Sequence, residues 1–357
     1  MTPNERIMAA LTGKETDRPA WSPFLAYWWD IQNEERKTRG QLEFMESIGC
    51  DPMLRGFGMS WKMDFKGLNV RHETKPGWRY EFWETPVGTL SFGYRRSEQG
   101  NTWFLVEHPI REAEDLKILS WLYEHAELES NREADDEVKK TGDRGVVLPI
   151  IGTESKTCFQ SLVEKWVGIQ NLTYLLADEP EAVEDCLEAM RRVSDQTAVY
   201  DAQSRADAFI FWEDSSTTSI SPAMFRKYTM PEISAWAKTL HSSGKLLVHH
   251  ACGHLRALLP LMAEAGSDVI ESISPPTTGN IDIPEAFTLL PENVALVGGI
   301  EPVFFENCSG EQLDERVFDL LNSAKGRRFV LANSDSCPPK VAEWKFTRVS
   351  KLVKEWK

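Results

Sequence analysis

The chain has 357 residues, with 40 basic against 55 acidic side chains and a net charge of −15. At 41% apolar and 27% charged it reads as an ordinary globular enzyme with material for a buried core, which argues against disorder. Such an acidic balance opposes binding to nucleic acid or an anionic membrane, no segment approaches the roughly 20 apolar residues of a membrane span, and no cationic stretch leads into an apolar run at the start, so a cytoplasmic protein is expected.

In chain order, residues 20–25 and 52–57 are the first two candidate strands. Between about 60 and 110 the pattern changes. Trp78-Arg79-Tyr80-Glu81-Phe82-Trp83 and Gly88-Thr89-Leu90-Ser91-Phe92-Gly93-Tyr94 alternate aromatic or apolar residues with polar ones, which predicts an antiparallel insertion with one solvated face. From residue 145 onward, short apolar runs at 146–151, 208–212, 246–249, 268–273, 294–297 and 328–332 are interleaved with helical patterns at 181–205, 255–265, 311–324 and 341–356. The runs lack strict alternation, as strands of a parallel sheet buried on both faces do. Ser221-Pro222 opens a further helix, with a capping hydroxyl before a first-turn proline, and Pro231 is expected to kink or divide it. Eight strands with intervening helices predict an α/β fold, a (β/α)8 TIM barrel forming one domain over 1–357 with the β insertion at 60–110.

Six cysteines occur, at 50, 158, 186, 252, 308 and 337, without the dense spacing of a disulfide scaffold. Cys50, Cys158, Cys186 and Cys308 read as small buried apolar residues. Cys252 is different, because Val248-His249-His250-Ala251-Cys252-Gly253-His254 closes a strand and precedes a helix. That is the strand end at which barrels build active sites. Cys337, in Asn333-Ser334-Asp335-Ser336-Cys337-Pro338-Pro339, follows another strand and belongs on the same rim. One imidazole with two thiolates favours zinc, leaving a fourth position for water, substrate or a carboxylate; Glu271, ending the 268–273 strand, is the candidate. The competing reading makes His250 a hydrogen-bonded polar residue and the cysteines buried ones.

His249 should face away from His250 by strand alternation, and His254 belongs to the helix start. Glu213 and Asp214 end the strand at 208–212, and Glu154 follows that at 146–151. They are candidates for proton transfer or for orienting a ligand, with solvated loop acids as the alternative. Asp335 reads as a partner to a ligand rather than a ligand. Four of the 13 tryptophans, Trp21, Trp28, Trp29 and Trp212, lie near strand ends and either stack on an aromatic substrate or pack the barrel.

The sequence resembles the uroporphyrinogen decarboxylase superfamily, in particular its zinc-dependent, corrinoid-linked methyltransferase branch, over nearly its whole length. Asn4-Glu5-Arg6 and the stretch from Leu11 through Asp17-Arg18-Pro19-Ala20-Trp21 resemble its N-terminal helix and first strand. Ser221-Pro222-Ala223-Met224-Phe225-Arg226-Lys227-Tyr228 with Pro231 resembles its central helix, and Val297-Gly298-Gly299-Ile300-Glu301-Pro302 a late strand and loop. These segments imply fold, not reaction. After Trp21 the chain reads Ser22-Pro23-Phe24-Leu25-Ala26-Tyr27-Trp28-Trp29, where the decarboxylases carry an arginine-bearing motif for the acidic groups of their tetrapyrrole. His250-Ala251-Cys252 with Cys337 matches the methyltransferases' zinc signature, and Glu271 falls near an acidic position associated with the metal.

The resemblance therefore implies a methyltransferase moving a methyl group between a small substrate and a cobamide. An Asp-x-His-x-x-Gly cobalt-ligand signature is absent, which assigns the cobamide to a separate corrinoid protein. No glycine-rich dinucleotide or phosphate loop is present. A methoxylated aromatic donor, hence O-demethylation, is favoured; a thiol acceptor of the coenzyme M type, a tetrapyrrole-type decarboxylase and a non-catalytic binding protein are the alternatives. The direction of transfer and formation of a homodimer stay open.

Overall fold

The structure is a computed structural model that describes residues 1–97 and 102–356. It divides into two compact units, one of Met1–Ser60, Asn131–Ile151 and Asp201–Lys357, the other of Trp61–Ser130 and Gly152–Tyr200.

The first unit is the barrel. Its strands are β1 (Ala20–Trp21), β2 (Met53–Arg55), β3 (Val146–Leu148), β4 (Ala208–Trp212), β5 (Leu246–His250), β6 (Val269–Ile273), β7 (Ala295–Ile300) and β8 (Phe329–Asn333). All the pairings among them are parallel: β1, β8, β7, β6, β5 and β4 follow one another in one sheet, and β2 pairs with β3. An isolated bridge between Ile150 and Ile210 joins β3 to β4. On the other side the Asp51 amide donates to the Trp21 carbonyl (2.7 Å) and the Met53 amide to the Ser22 hydroxyl (2.9 Å), joining β2 to β1 and closing the ring.

Apolar runs form these strands because both faces are covered, one by helices and one by the barrel's own interior. Register sets the interior layers. Ile210, Val248, Val269 and Ala295 are neighbours in one row, and two residues further on come Trp212, His250, Glu271 and Val297. Together with Met53, Val146, Leu148 and Val330 the apolar members make one core cluster. The barrel is packed by side chains and is not a pore.

The N-terminal end of the barrel is tied by buried charge. Thr2 and Glu5 form a reciprocal cap on the helix Pro3–Thr12, which carries Arg6. Asp51, wholly buried, accepts from Arg6 Nη1 (2.6 Å), from both Nη of Arg18 (2.8 and 2.9 Å) and from the Trp21 amide (3.2 Å). The Asn4-Glu5-Arg6 and Asp17-Arg18 segments are thus structural.

The expected division of the central helix is present. Pro222–Met224 runs into a five-residue π-turn, Phe225–Thr229, before the helix Met230–His241, with Pro231 in its first turn. A proline there lacks the amide that would continue the α ladder. The helix expected over 255–265 is regular only from Leu259 to Glu264, with Pro260 in its first turn. Residues 256–258 form a turn instead.

The second unit holds the antiparallel meander Asn69–Lys75, Trp78–Thr85, Gly88–Arg96 and Trp103–Glu107. Trp61–Phe65 pairs separately with Ala126–Ser130. Leu90 and Phe92 are buried, and Trp83, Phe92 and Trp166 pack with centroids 5.4–5.6 Å apart. The unit reaches beyond the stretch 60–110 because helices such as Ala113–Glu124 and Ile169–Asp178 join it, and these carry no period-2 pattern. Among the described residues no helix is long and apolar enough to cross a membrane.

Candidate functional site

Parallel strands of a closed barrel end at one rim, and here the C-terminal residues of β2, β5 and β6 are Arg55, His250 and the segment around Glu271. His250 and Glu271 are register partners on adjacent strands, so alternation turns both side chains inward. His250 Nδ1 lies 3.0 Å from Glu271 Oε2, and Arg55 Nε donates to Glu271 Oε1 at 2.5 Å. Both partners of the ion pair are buried, at 2% and 1% side-chain exposure, so solvent does not screen it. Burial alone would push the Glu271 carboxyl up, but Arg55 and His250 outweigh it and hold it below its ordinary value.

An ionised carboxylate only accepts, so His250 Nδ1 carries the proton and in the neutral ring Nε2 is left as a lone pair. A carboxylate on one imidazole nitrogen and a free second nitrogen is the arrangement that presents histidine to a metal. Nε2 lies 3.7 Å from Asp335 Oδ1, on the loop after β8. Trp212 stands beside His250 with centroids 4.9 Å apart. Phe24, after β1, is stacked on Trp212 at 5.5 Å and meets the edge of His250 at 5.5 Å.

Two backbone features fix this rim. The β6–β7 register slips between Glu271 and Ile273, at Ser272, which has φ +84° and a buried hydroxyl without a hydrogen-bond partner. Such a bulge re-aims the strand end and concentrates strain beside Glu271. Asn333, the last residue of β8, clamps Phe24 by accepting from its amide and donating to its carbonyl, both at 2.9 Å. The Cys337 amide also donates to the Phe24 carbonyl (3.0 Å).

The other expected residues are placed as follows. Cys252 follows β5, and its thiol donates to Asp214 Oδ1 at 3.0 Å. Cys337 is buried, which pushes its thiol up, and it faces the Pro338 carbonyl at 3.8 Å. Glu213 is buried and accepts from the Ser215 hydroxyl at 3.1 Å. Glu154 belongs to the second unit, where it accepts from Tyr123 Oη (3.3 Å) and Lys165 Nζ (2.7 Å). His249 lies on the opposite face from His250, among Phe211, Phe225 and Ser267, and burial lowers it to about 3, so it is neutral. The His254 amide donates to the Ser216 hydroxyl (3.0 Å) in the loop before the helix.

The donor types fit zinc: an oriented imidazole and two thiols, all at one barrel rim. Among the described residues, however, no three His, Cys, Asp or Glu side chains are drawn together so as to hold an ion. Glu271, with one oxygen on Arg55 and the other on His250, serves here as the partner that orients His250. Arg55 escaped the sequence reading; the signal available was a lone arginine ending an apolar strand run.

Residues 98–356, more than two thirds of the chain, match a known family whose description is uroporphyrinogen decarboxylase (URO-D). The chain belongs to the uroporphyrinogen decarboxylase family. A uroporphyrinogen decarboxylase from Koribacter versatilis (strain Ellin345) is 26% identical over 228 residues, which is 62% of this chain and 62% of that protein. The chain thus spans less than two thirds of that relative's length. A methyltransferase from Methanosarcina mazei superposes with a TM-score of 0.64 at 13% identity, covering 100% of this chain and 99% of the other. At that identity the likeness is one of fold, and the fold is the uroporphyrinogen decarboxylase barrel.

Proposed function

We propose that this member of an enzyme family is a zinc-dependent methyltransferase that moves a methyl group between a small substrate and the cobamide of a separate corrinoid protein. The observation that carries the reading is the His250–Glu271 pair, which turns Nε2 of a buried imidazole, 3.7 Å from Asp335, toward the rim that also bears Cys252 and Cys337. His250, Cys252 and Cys337 would hold the ion, with Asp335 or water as the fourth neighbour, since Glu271 is committed to Arg55. Bound there, zinc supplies Lewis acidity toward the substrate heteroatom.

The chain's own residues do the rest. Glu271 keeps the proton on Nδ1, and Arg55 keeps Glu271 ionised. Phe24 and Trp212 wall one side of His250 and exclude water from it. Glu213 and Asp214, just after β4, are the acids placed to exchange a proton with a leaving or entering heteroatom, and Asp214, which accepts from the Cys252 thiol, is placed to take that proton when the thiol becomes a ligand. Glu154, paired with Lys165 and Tyr123, is assigned no step. The favoured substrate is a methoxylated aromatic compound, whose leaving group is a phenolate; a thiol acceptor is the alternative direction.

The curated relative favours a second reading, decarboxylation of a tetrapyrrole. Against it stands Arg55, a cation of this rim, which is consumed by Glu271 and by the Ser22, Pro23 and Met53 carbonyls.

The test combines metal analysis with turnover. Purified protein is expected to hold one zinc that Cys252→Ser and Cys337→Ser each release. With a reduced corrinoid partner and a panel of methoxybenzenes, methylamines, methanol and methylated thiols, cobalt methylation is expected from methoxybenzenes. Methylation by an amine or thiol alone rejects the substrate, and full decarboxylase activity in metal-free protein rejects the whole reading.

A further inference from the structure

Among the described residues the strand Asn69–Lys75 pairs with Trp78–Thr85 on one side and with no strand on the other. It is a sheet edge seven residues long, and every residue of it except Glu73 is exposed. The outward amides and carbonyls of such an edge can pair with a further strand. Its side chains decide which strand is admitted.

Alternation puts Asn69, Arg71, Glu73 and Lys75 on one face of the sheet, and Val70, His72 and Thr74 on the other. Register sets Arg71 beside Phe82, Glu73 beside Tyr80 and Lys75 beside Trp78. The rings order the cations: the Arg71 guanidinium lies 4.0 Å from the Phe82 centroid and Lys75 Nζ 5.1 Å from that of Tyr80. Arg71 donates through Nε to Glu84 (3.1 Å), and its Nη1 stands 3.9 Å from Glu73, beyond hydrogen-bond distance. Glu73 keeps Lys75 Nζ at 3.1 Å with one oxygen. Arg71 and Glu73 are thus held along the edge with donors and an acceptor to spare.

We propose that this edge binds the same edge of a second copy of the chain, antiparallel about a two-fold axis at His72, so that two four-stranded meanders join into one sheet. Full overlap of the strand with its copy sets Arg71 opposite the partner's Glu73, Asn69 opposite the partner's Lys75 and His72 opposite the partner's His72. The Arg71–Glu73 contact is made twice, once on either side of the axis. Opposite charges directly across an antiparallel pair attract, and like charges repel. A slip of two residues, the smallest that keeps the faces aligned, reverses the sign. Centred on Arg71, it sets that residue against its own copy; centred on Glu73, it sets Glu73 against its copy and Arg71 against the partner's Lys75. Charged edges ordinarily exclude partners, but this order of charges excludes the slipped registers and selects one. On the other face Val70, 41% exposed, meets the partner's Thr74. The inference goes beyond the proposed reaction and does not depend on it.

Sedimentation equilibrium of the full-length protein, at physiological ionic strength so that the net charge of −15 is screened, is expected to show a monomer–dimer equilibrium. Arg71→Glu and Glu73→Arg each turn both charge contacts into like-charge pairs and should weaken dimerisation by roughly tenfold or more. Mixed in equal amounts, the two variants oppose an acidic edge to a basic one and should associate as tightly as the wild type. That mixture separates a lost contact from a lost fold. The register has its own readout: residues on the axis face each other within disulfide reach, so mild oxidation should cross-link His72→Cys between chains and leave Thr74→Cys uncross-linked. Three results overturn the inference: a wild type that is monomeric at every concentration, dimerisation unchanged in both single variants, or a mixture no tighter than either variant alone. Cross-linking of Thr74→Cys in place of His72→Cys overturns the register.

Discussion

Replacing Arg55 with methionine keeps the apolar stem and deletes the charge that neutralises Glu271. Both side chains are almost fully enclosed, at 2% and 1% exposure, so the remaining carboxylate cannot recover its hydration. Breaking a buried pair from one side costs about 3–5 kcal/mol, whereas Glu271→Gln, which retains a hydrogen-bonding partner for His250, should cost about 1.5–3 kcal/mol. The double variant Arg55→Met/Glu271→Gln removes both charges and should lose well under the sum of the single losses, with a coupling energy of about 2 kcal/mol or more. Urea titrations of the four proteins, followed by tryptophan fluorescence, measure the cycle. The pH dependence adds a sign. In the wild type, Glu271 lies below its ordinary value, so its contribution is full above about pH 4.3 and fades as pH falls through the lower folded value. In Arg55→Met, burial is opposed only by His250 and the carboxyl rises, so the deficit should be largest near neutral pH and shrink on acidification. An Arg55→Met protein within about 1 kcal/mol of wild type, or strictly additive losses, refutes the account.

Asp51, wholly buried between Arg6 and Arg18, should behave similarly at the opposite barrel end: Asp51→Ala is expected to lose about 3 kcal/mol or more in urea, with zinc content per folded molecule unchanged. Asp201 is buried, and burial, offset only in part by Ser60 and Lys245, raises it well above the usual carboxylate range. A raised acid binds its proton in the folded state, so stability falls as pH rises from about 4 toward the folded value, by about 1.4 kcal/mol per unit. Asp201→Asn should therefore raise the melting temperature at pH 7–8 and lose that advantage near pH 4; a pH-independent difference would show that Asp201 is ionised.

The barrel was legible because each strand is a local apolar run, and burial on both faces leaves no alternation to obscure it. Trp212, the last residue of β4, sits where its run ends, and β5 extends one residue beyond its apolar run to include His250. That extra residue follows from pairing with Glu271 across the sheet, which no local pattern reveals. The strand Ala126–Ser130 was missed for a related reason: its sequence, Ala-Glu-Leu-Glu-Ser, is mostly exposed and becomes a strand by pairing with Trp61–Phe65.

The site was half legible, and the division follows sequence separation. His250, Cys252 and Cys337 stand out because histidine and cysteine at strand ends are rare residues in rare positions. Arg55 does not, since an arginine after Met53-Leu54 reads as the solvated end of a strand until Glu271, 216 residues away, is placed within 2.5 Å of it. Glu271 is legible by its position near the end of its strand, but its contacts with Arg55 and His250 are not. The consequence reaches the chemistry. A carboxylate between a guanidinium and an imidazole fixes which histidine nitrogen is a donor to the rim, so the residue that decides how His250 can act is the arginine whose role only the three-dimensional register exposes.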